Sequence, residues 1–437
     1  MRKESRFLAV LSAAAMMALA CPALGAGNAD SAYAQEKAGW VEESAGEWKY
    51  YDSDGYLLTD TWKKHGSDWY YLDYDGNVAV SQRVDEYYVD ETGKRVSDTW
   101  LAEDNDEWYD DAPLTYWYYY GANGRMTVDK WMSIDGNWYY FDGEGHMLTG
   151  LQEVDGNTYY FGDDGARKYG WFLLPETDES LEREFSWFYF DKTGKMLTDE
   201  VDKKIDGAYY TFEDGRMQTG WVLTEESAAK DGSVAGYQYY GEDGKRASGW
   251  LTIVGADGTA GEDEEFSFYF KNGKPCYAET GVQLFSINSK KYGFNTRGEM
   301  QTGLQTVTRE DGSTGTYYFG EDGVMRVGRQ TIYDEDLGEN QVWYFAADGS
   351  NKGMGYTGIR DGVIYDGGLR LEADADLRLA PVTFEEKQYL VNVNGQIQKA
   401  SSSSQSKKNP ELGKGYKDYE DLNDKIWTVD TEGVIQQ

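Results

Sequence analysis

From about residue 38 onward the chain alternates short aromatic runs with short polar stretches rich in Asp and Gly. Residues 130–149 show the pattern most fully. Trp131 opens a short run and Asp135-Gly136-Asn137 interrupts it. Trp138-Tyr139-Tyr140-Phe141 follows, and Asp142 to Thr149 closes with the order Asp-x-x-Gly-x-Met-x-Thr. Aromatic and β-branched residues on either side of Asp-Gly predict a β-hairpin. Neighbouring side chains in each strand then point to opposite faces. Gly145 serves a second turn, where a positive φ is cheap for glycine alone.

This unit recurs about fifteen or sixteen times. Trp40 leads to Trp48-Lys49-Tyr50-Tyr51, Trp62 to Trp69-Tyr70-Tyr71-Leu72, and Trp100 to Trp117-Tyr118-Tyr119-Tyr120. Trp171 leads to Trp187-Phe188-Tyr189-Phe190, and later boxes centre on Tyr209-Tyr210, Tyr239-Tyr240, Tyr317-Tyr318-Phe319 and Trp343-Tyr344-Phe345. A single hairpin of ~20 residues is not stable alone in water, whereas stacked units bury a shared core. The expected fold is therefore all-β, an elongated β-solenoid of stacked β-hairpin repeats. The expected organisation is a signal peptide at 1–34, repeats with paired Trp at 39–200, degenerate repeats at 201–400, a Ser-rich linker at 401–410, and a short terminal hairpin or cap at 411–437.

The signal peptide is read from Arg2, Lys3 and Arg6, the apolar run Phe7 to Ala20, and the small-residue sites Ala32-Tyr33-Ala34 and Ala23-Leu24-Gly25. The run is short for a bilayer crossing, so no transmembrane segment is expected. With no sorting motif at the C-terminus, attachment to a cell surface is expected to be non-covalent.

Composition narrows the function. The net charge of −36 argues against nucleic acid as a partner. Two His and two Cys leave little for a His-based metal site or a disulfide scaffold, so no metal and no cofactor are expected. His65 and His146 read as exposed and idle, and Cys276 as a small filler. Acidic inserts such as 103–107 and 176–179 read as solvated loops, because no Asp-x-Asp-x-Asp-Gly spacing supports calcium. The 16% aromatic content and the 52 Gly are the sum of the repeated boxes and turns.

The recurring order Trp … Trp-Tyr-Tyr-Phe-Asp … Gly-x-Met-x-Thr-Gly-Trp resembles the choline-binding, or cell-wall-binding, repeat of Gram-positive surface proteins, over roughly residues 39–400. Related repeats occur in glucan-binding glycosyltransferases and in the tails of clostridial toxins. The resemblance implies that ligand sits between consecutive hairpins in an aromatic cage, with two rings from one hairpin, a third from the next, and a Met nearby. A quaternary ammonium cannot donate a hydrogen bond, so cation–π attraction is the force available to hold it. Carried over, the cage residues are Trp40 with Trp48, Trp62 with Trp69, Trp100 with Trp117, Trp131 with Trp138, and Trp171 with Trp187. Third rings are expected from Tyr70 or Tyr71, Tyr87 or Tyr88, Tyr139, Tyr159 and Tyr209, and methionines from Met126, Met147, Met196 and Met217. Beyond residue 200 the pairs decay: Trp221 is followed by Tyr237, Trp250 by Ser267, and Leu304 and Arg329 replace the opening Trp.

No nucleophile motif, Cys–His arrangement or phosphate loop stands out, and the repeats leave little space for a catalytic domain of ~150 residues. The expected protein is not an enzyme. It is a secreted cell-surface protein that binds choline residues of teichoic-type envelope polymers, with a host or neighbouring-cell partner allowed. The alternatives are a repeat protein that binds carbohydrate (glucan or a host oligosaccharide) and a structural surface stalk.

Overall fold

A computed structural model describes residues 38–105, 113–255 and 264–436. The expected signal peptide, its cleavage sites and part of the first acidic insert lie outside these residues. Among the described residues the regular structure is all β, apart from two three-residue 3₁₀ turns at Glu226–Ala228 and Pro410–Leu412. The chain forms two compact units: Met1–Gln152 with Phe161–Arg167, and Glu153–Tyr160 with Lys168–Gln437.

The first unit is a succession of antiparallel hairpins, among them Gly39–Ser44 with Glu47–Tyr51, Thr61–His65 with Asp68–Leu72, Thr99–Asp104 with Thr115–Tyr120, and Lys130–Ile134 with Asn137–Phe141. The second continues in the same way from Gly170–Pro175 with Phe185–Phe190 to Leu379–Phe384 with Lys387–Asn392. Near the C-terminus Lys417–Glu420 pairs with Ile426–Val429, and Val429 packs on Leu379 and Leu390. The Ser-rich stretch before it is tied down rather than loose. Ser406 is buried, and its hydroxyl and the amides of Lys407 and Lys408 all donate to the Asp418 carboxylate.

Local chemistry accounts for the hairpins. Asp135 (φ 49°) and Gly136 (φ 84°) make the two left-handed positions of a tight turn whose twist matches the strands. After the second strand the box-closing Asp organises the next turn: Asp142 Oδ1 accepts from the amides of Glu144 (3.0 Å) and His146 (2.7 Å). Gly145 then sits at φ 87°, and a Cβ there would stand 2.9 Å from the Met126 sulfur. The turn glycine is needed for its backbone angle and for the methionine of the preceding repeat that lies against it.

The core runs through the fourth position of most boxes. Leu72, Val89, Tyr120, Phe141, Phe190, Tyr240, Phe294, Phe319 and Phe345 are fully buried. Each buried Phe stabilises by about 1.5–3 kcal/mol relative to exposure. The first position faces outward: Trp69, Trp138 and Trp187 are 37%, 44% and 43% exposed.

Candidate functional site

Strand register brings each tryptophan pair together. Trp62 lies opposite Tyr71, and Lys64 lies opposite Trp69. Side chains two apart share a face, so Trp62 and Trp69 are diagonal neighbours on one face. The same register recurs for Trp40 and Trp48, Trp100 and Trp117, Trp131 and Trp138, and Trp171 and Trp187. It holds for short and long hairpins alike, because Ala102 still lies opposite Trp117 and Leu173 opposite Trp187.

The next hairpin supplies the third ring at most of these pairs. Tyr70 lies 5.6 Å from Trp40, Tyr87 5.3 Å from Trp62, and Tyr139 5.0 Å from Trp100. At Trp171 the third ring is Tyr210, at 4.8 Å, and not Tyr209. Tyr209 occupies the outward first position of its box and lies beneath the Arg246 guanidinium, 4.1 Å away. Tyr159 holds the box position equivalent to Tyr70 and is buried, in the compact unit other than that of Trp131.

The methionines divide. Met147 packs in one cluster with Trp100 and Tyr139, and its amide donates to the Trp117 carbonyl (2.8 Å). Met217 packs with Trp171, Tyr210 and Phe212. Met126 instead donates its amide to Glu86, in a hairpin that carries Arg83 and Glu86 where others carry tryptophans. Met196 lies in a core of Tyr160, Phe172, Leu174, Phe188 and Phe190.

Trp171, Trp187, Tyr210 and Met217 make the fullest cage. The two indoles lie 6.5 Å apart and nearly perpendicular (82°), with Trp187 exposed. A five-stranded sheet holds them, in the order Gly170–Pro175, Phe185–Phe190, Arg216–Met217, Ala208–Glu213, Glu200–Ile205. Phe188 pairs with Arg216, which sets Met217 beside Trp187. Glu176, expected to be a solvated loop residue, has its side chain buried and locks this arrangement. Both its oxygens receive hydrogen bonds from Arg216 at 2.8 Å, and Ser186 Oγ donates at 2.6 Å. The Arg216 guanidinium, with the Ser186 hydroxyl and backbone amides, outweighs burial and holds the Glu176 carboxyl well below the usual range.

Three residues stand at the cages that the sequence did not assign there. His65 stacks on Trp40 (5.5 Å, 21°) and lies edge-on to Trp48 (5.7 Å), so it is not idle. The Arg95 guanidinium lies 5.7 Å from the Trp69 ring and 5.0 Å from Tyr87. That of Arg167 lies 5.4 Å from Trp131 and 5.9 Å from Trp138. Both arginines stand two residues after a turn glycine, where other units carry Met, and that position is the signal in the sequence. His146 is likewise engaged, stacked on Tyr116 at 3.8 Å and 3.1 Å from an Asp142 oxygen. Cys276 packs among Phe285, Tyr292 and Phe294, and burial raises its thiol pKa. No cluster of three or more His, Cys, Asp or Glu suited to a metal occurs among the described residues. None of the helices found there is long and apolar enough to cross a membrane.

The family model of the choline-binding type, described as a cell wall binding repeat, matches residues 60–78, 129–147, 149–166, 186–196 and 310–325. Those five segments are thus similar to choline-binding-type cell wall binding repeats. Solved structures resemble it as well. CbpJ of Streptococcus pneumoniae is 20% identical over 66% of this chain and 100% of its own, with a TM-score of 0.41. Choline binding protein F of the same organism, in complex with ipratropium, is 19% identical over 70% of this chain and 98% of its own, also at 0.41. The modular autolysin LytC of S. pneumoniae is 20% identical over 60% of this chain, with a TM-score of 0.39, and the match spans about half (52%) of its length. No curated protein sequence matches the chain.

Proposed function

We propose that this chain is a non-catalytic cell-surface protein that binds choline residues of envelope polymers in aromatic cages between successive hairpins. Within each compact unit the hairpins would stack as a β-solenoid. The observation that carries the reading is the group Trp171, Trp187, Tyr210 and Met217, in which two nearly perpendicular indoles, one of them exposed, meet a phenol ring from the next hairpin. Three rings offer a quaternary ammonium about 0.5–2 kcal/mol each, and no hydrogen-bond donor is required of the ligand. The excess of acidic residues adds long-range attraction for a cation, reduced by salt. Titration of the protein with choline and with dextran, followed by Trp fluorescence, tests the assignment. Saturation by choline supports it. A response to dextran alone would assign the cages to carbohydrate, and a response to neither would leave the repeats a structural role.

A further inference from the structure

We propose that the residue two positions after the turn glycine decides which cages are open to an external cation. Arg95 and Arg167 close the Trp62/Trp69 and Trp131/Trp138 cages with the chain's own guanidinium groups, while Met217 leaves the Trp171/Trp187/Tyr210 cage open. The inference rests on the choline reading above and specifies which cages act in it.

The backbone makes this position equivalent from repeat to repeat. The Arg95 amide donates to the Trp69 carbonyl (2.8 Å), that of Arg167 to Trp138 (2.7 Å), and that of Met147 to Trp117 (2.8 Å). The side chain at this position is therefore delivered to the outer tryptophan of the preceding hairpin whatever its chemistry. When it is Arg, a planar cation lies within 6 Å of the rings, inside cation–π range. Neither Arg95 nor Arg167 forms an ion pair among the described residues, so the rings are the partners of their charge. Arg246 shows the contrast: it covers Tyr209 but also pairs with Asp202 at 2.9 Å. When the residue is Met217, the same place holds a neutral, polarisable thioether, and among the described residues no cation lies over Trp171, Trp187 or Tyr210. A tethered guanidinium competes at an effective concentration on the order of millimolar or above, which a weakly bound free ligand does not overcome.

The test uses the whole protein and its Arg167→Met, Arg95→Met and Met217→Arg variants, with choline binding counted by equilibrium dialysis and folding checked by near-ultraviolet circular dichroism. Arg167→Met and Arg95→Met should each add one choline site, and Met217→Arg should remove one. In the ligand-free wild type, the Arg95 and Arg167 side-chain N–H resonances should be shifted upfield by the rings beneath them. Wild-type binding that stays unchanged in folded Arg167→Met and Arg95→Met overturns the inference and leaves the choline reading intact. Binding that appears only after Arg167→Met or Arg95→Met, with none in the wild type, overturns the inference, because the Trp171 cage is then shut despite Met217. Absence of binding in every variant overturns both.

Discussion

Replacement of Trp187 by Leu separates the ring's electronic role from its bulk. Trp187 is 43% exposed, and its ring contact within the cage is with Trp171 at 6.5 Å. Leu keeps apolar volume beside Leu173 and Trp171 but removes the indole face. The Glu176–Arg216–Ser186 lock on this strand lies on neighbouring residues and is untouched. The loss to a bound quaternary ammonium is one indole contact, about 1–2 kcal/mol in a partly desolvated cage. With each 1.4 kcal/mol worth tenfold, affinity at this cage should fall roughly 5- to 30-fold. The assay is a choline titration at constant ionic strength, read by NMR of the Trp171 indole, with thermal unfolding as the control. The expected result is weaker binding with little change in melting temperature. An unchanged dissociation constant in the folded variant would refute the placement of the cation between these two indoles.

Three further outcomes follow from the packing. Arg216→Ala leaves the Glu176 carboxylate buried beside Ser186 without its cation, and should destabilise by about 2–4 kcal/mol in urea titration; Glu176→Gln together with Arg216→Met should recover part of that loss. Gly145→Ala forces a Cβ onto the Met126 sulfur at a φ of 87°, and should lower stability by about 1–3 kcal/mol in the same measurement. Asp418 has its carboxyl held down to about 2, as hydrogen bonds from Ser406, Lys407, Lys408 and Thr428 outweigh the opposing effect of burial. Its folded pKa lies below the ordinary value of about 3.9, so its contribution is complete above that value and is lost as pH falls towards 2. Asp418→Asn should flatten the acid limb of stability between roughly pH 4 and 2, by about 1–2 kcal/mol given partial exposure, as seen in Trp427 fluorescence against urea.

Much of the fold is legible in the boxes themselves. Asp-Gly between aromatic runs determines a two-residue turn, and the turn sets the register. With the register set, alternation alone puts Trp131 and Trp138 on one face and Phe141 in the core. The tryptophan pairs were therefore readable, as were the turn glycines and the decay of the pairs after residue 200. Two assignments failed for a related reason. The choice between Tyr209 and Tyr210 depends on which face of one hairpin meets the previous one, and Glu176 looked solvated because its partner, Arg216, is forty residues away.

The sequence by itself determined the hairpins, their internal registers and the outward tryptophans, because these follow from turn chemistry and a two-residue period acting within about twenty residues. Only the tertiary structure decided what stands over each pair. The occupant comes from the following hairpin, so the same Gly-x-Met slot places a thioether against Trp171 but a guanidinium over Trp131 and Trp138. Local periodicity cannot report a contact made between repeats. Stacking makes it, by hydrogen-bonding the amide of that slot to the carbonyl of the preceding tryptophan.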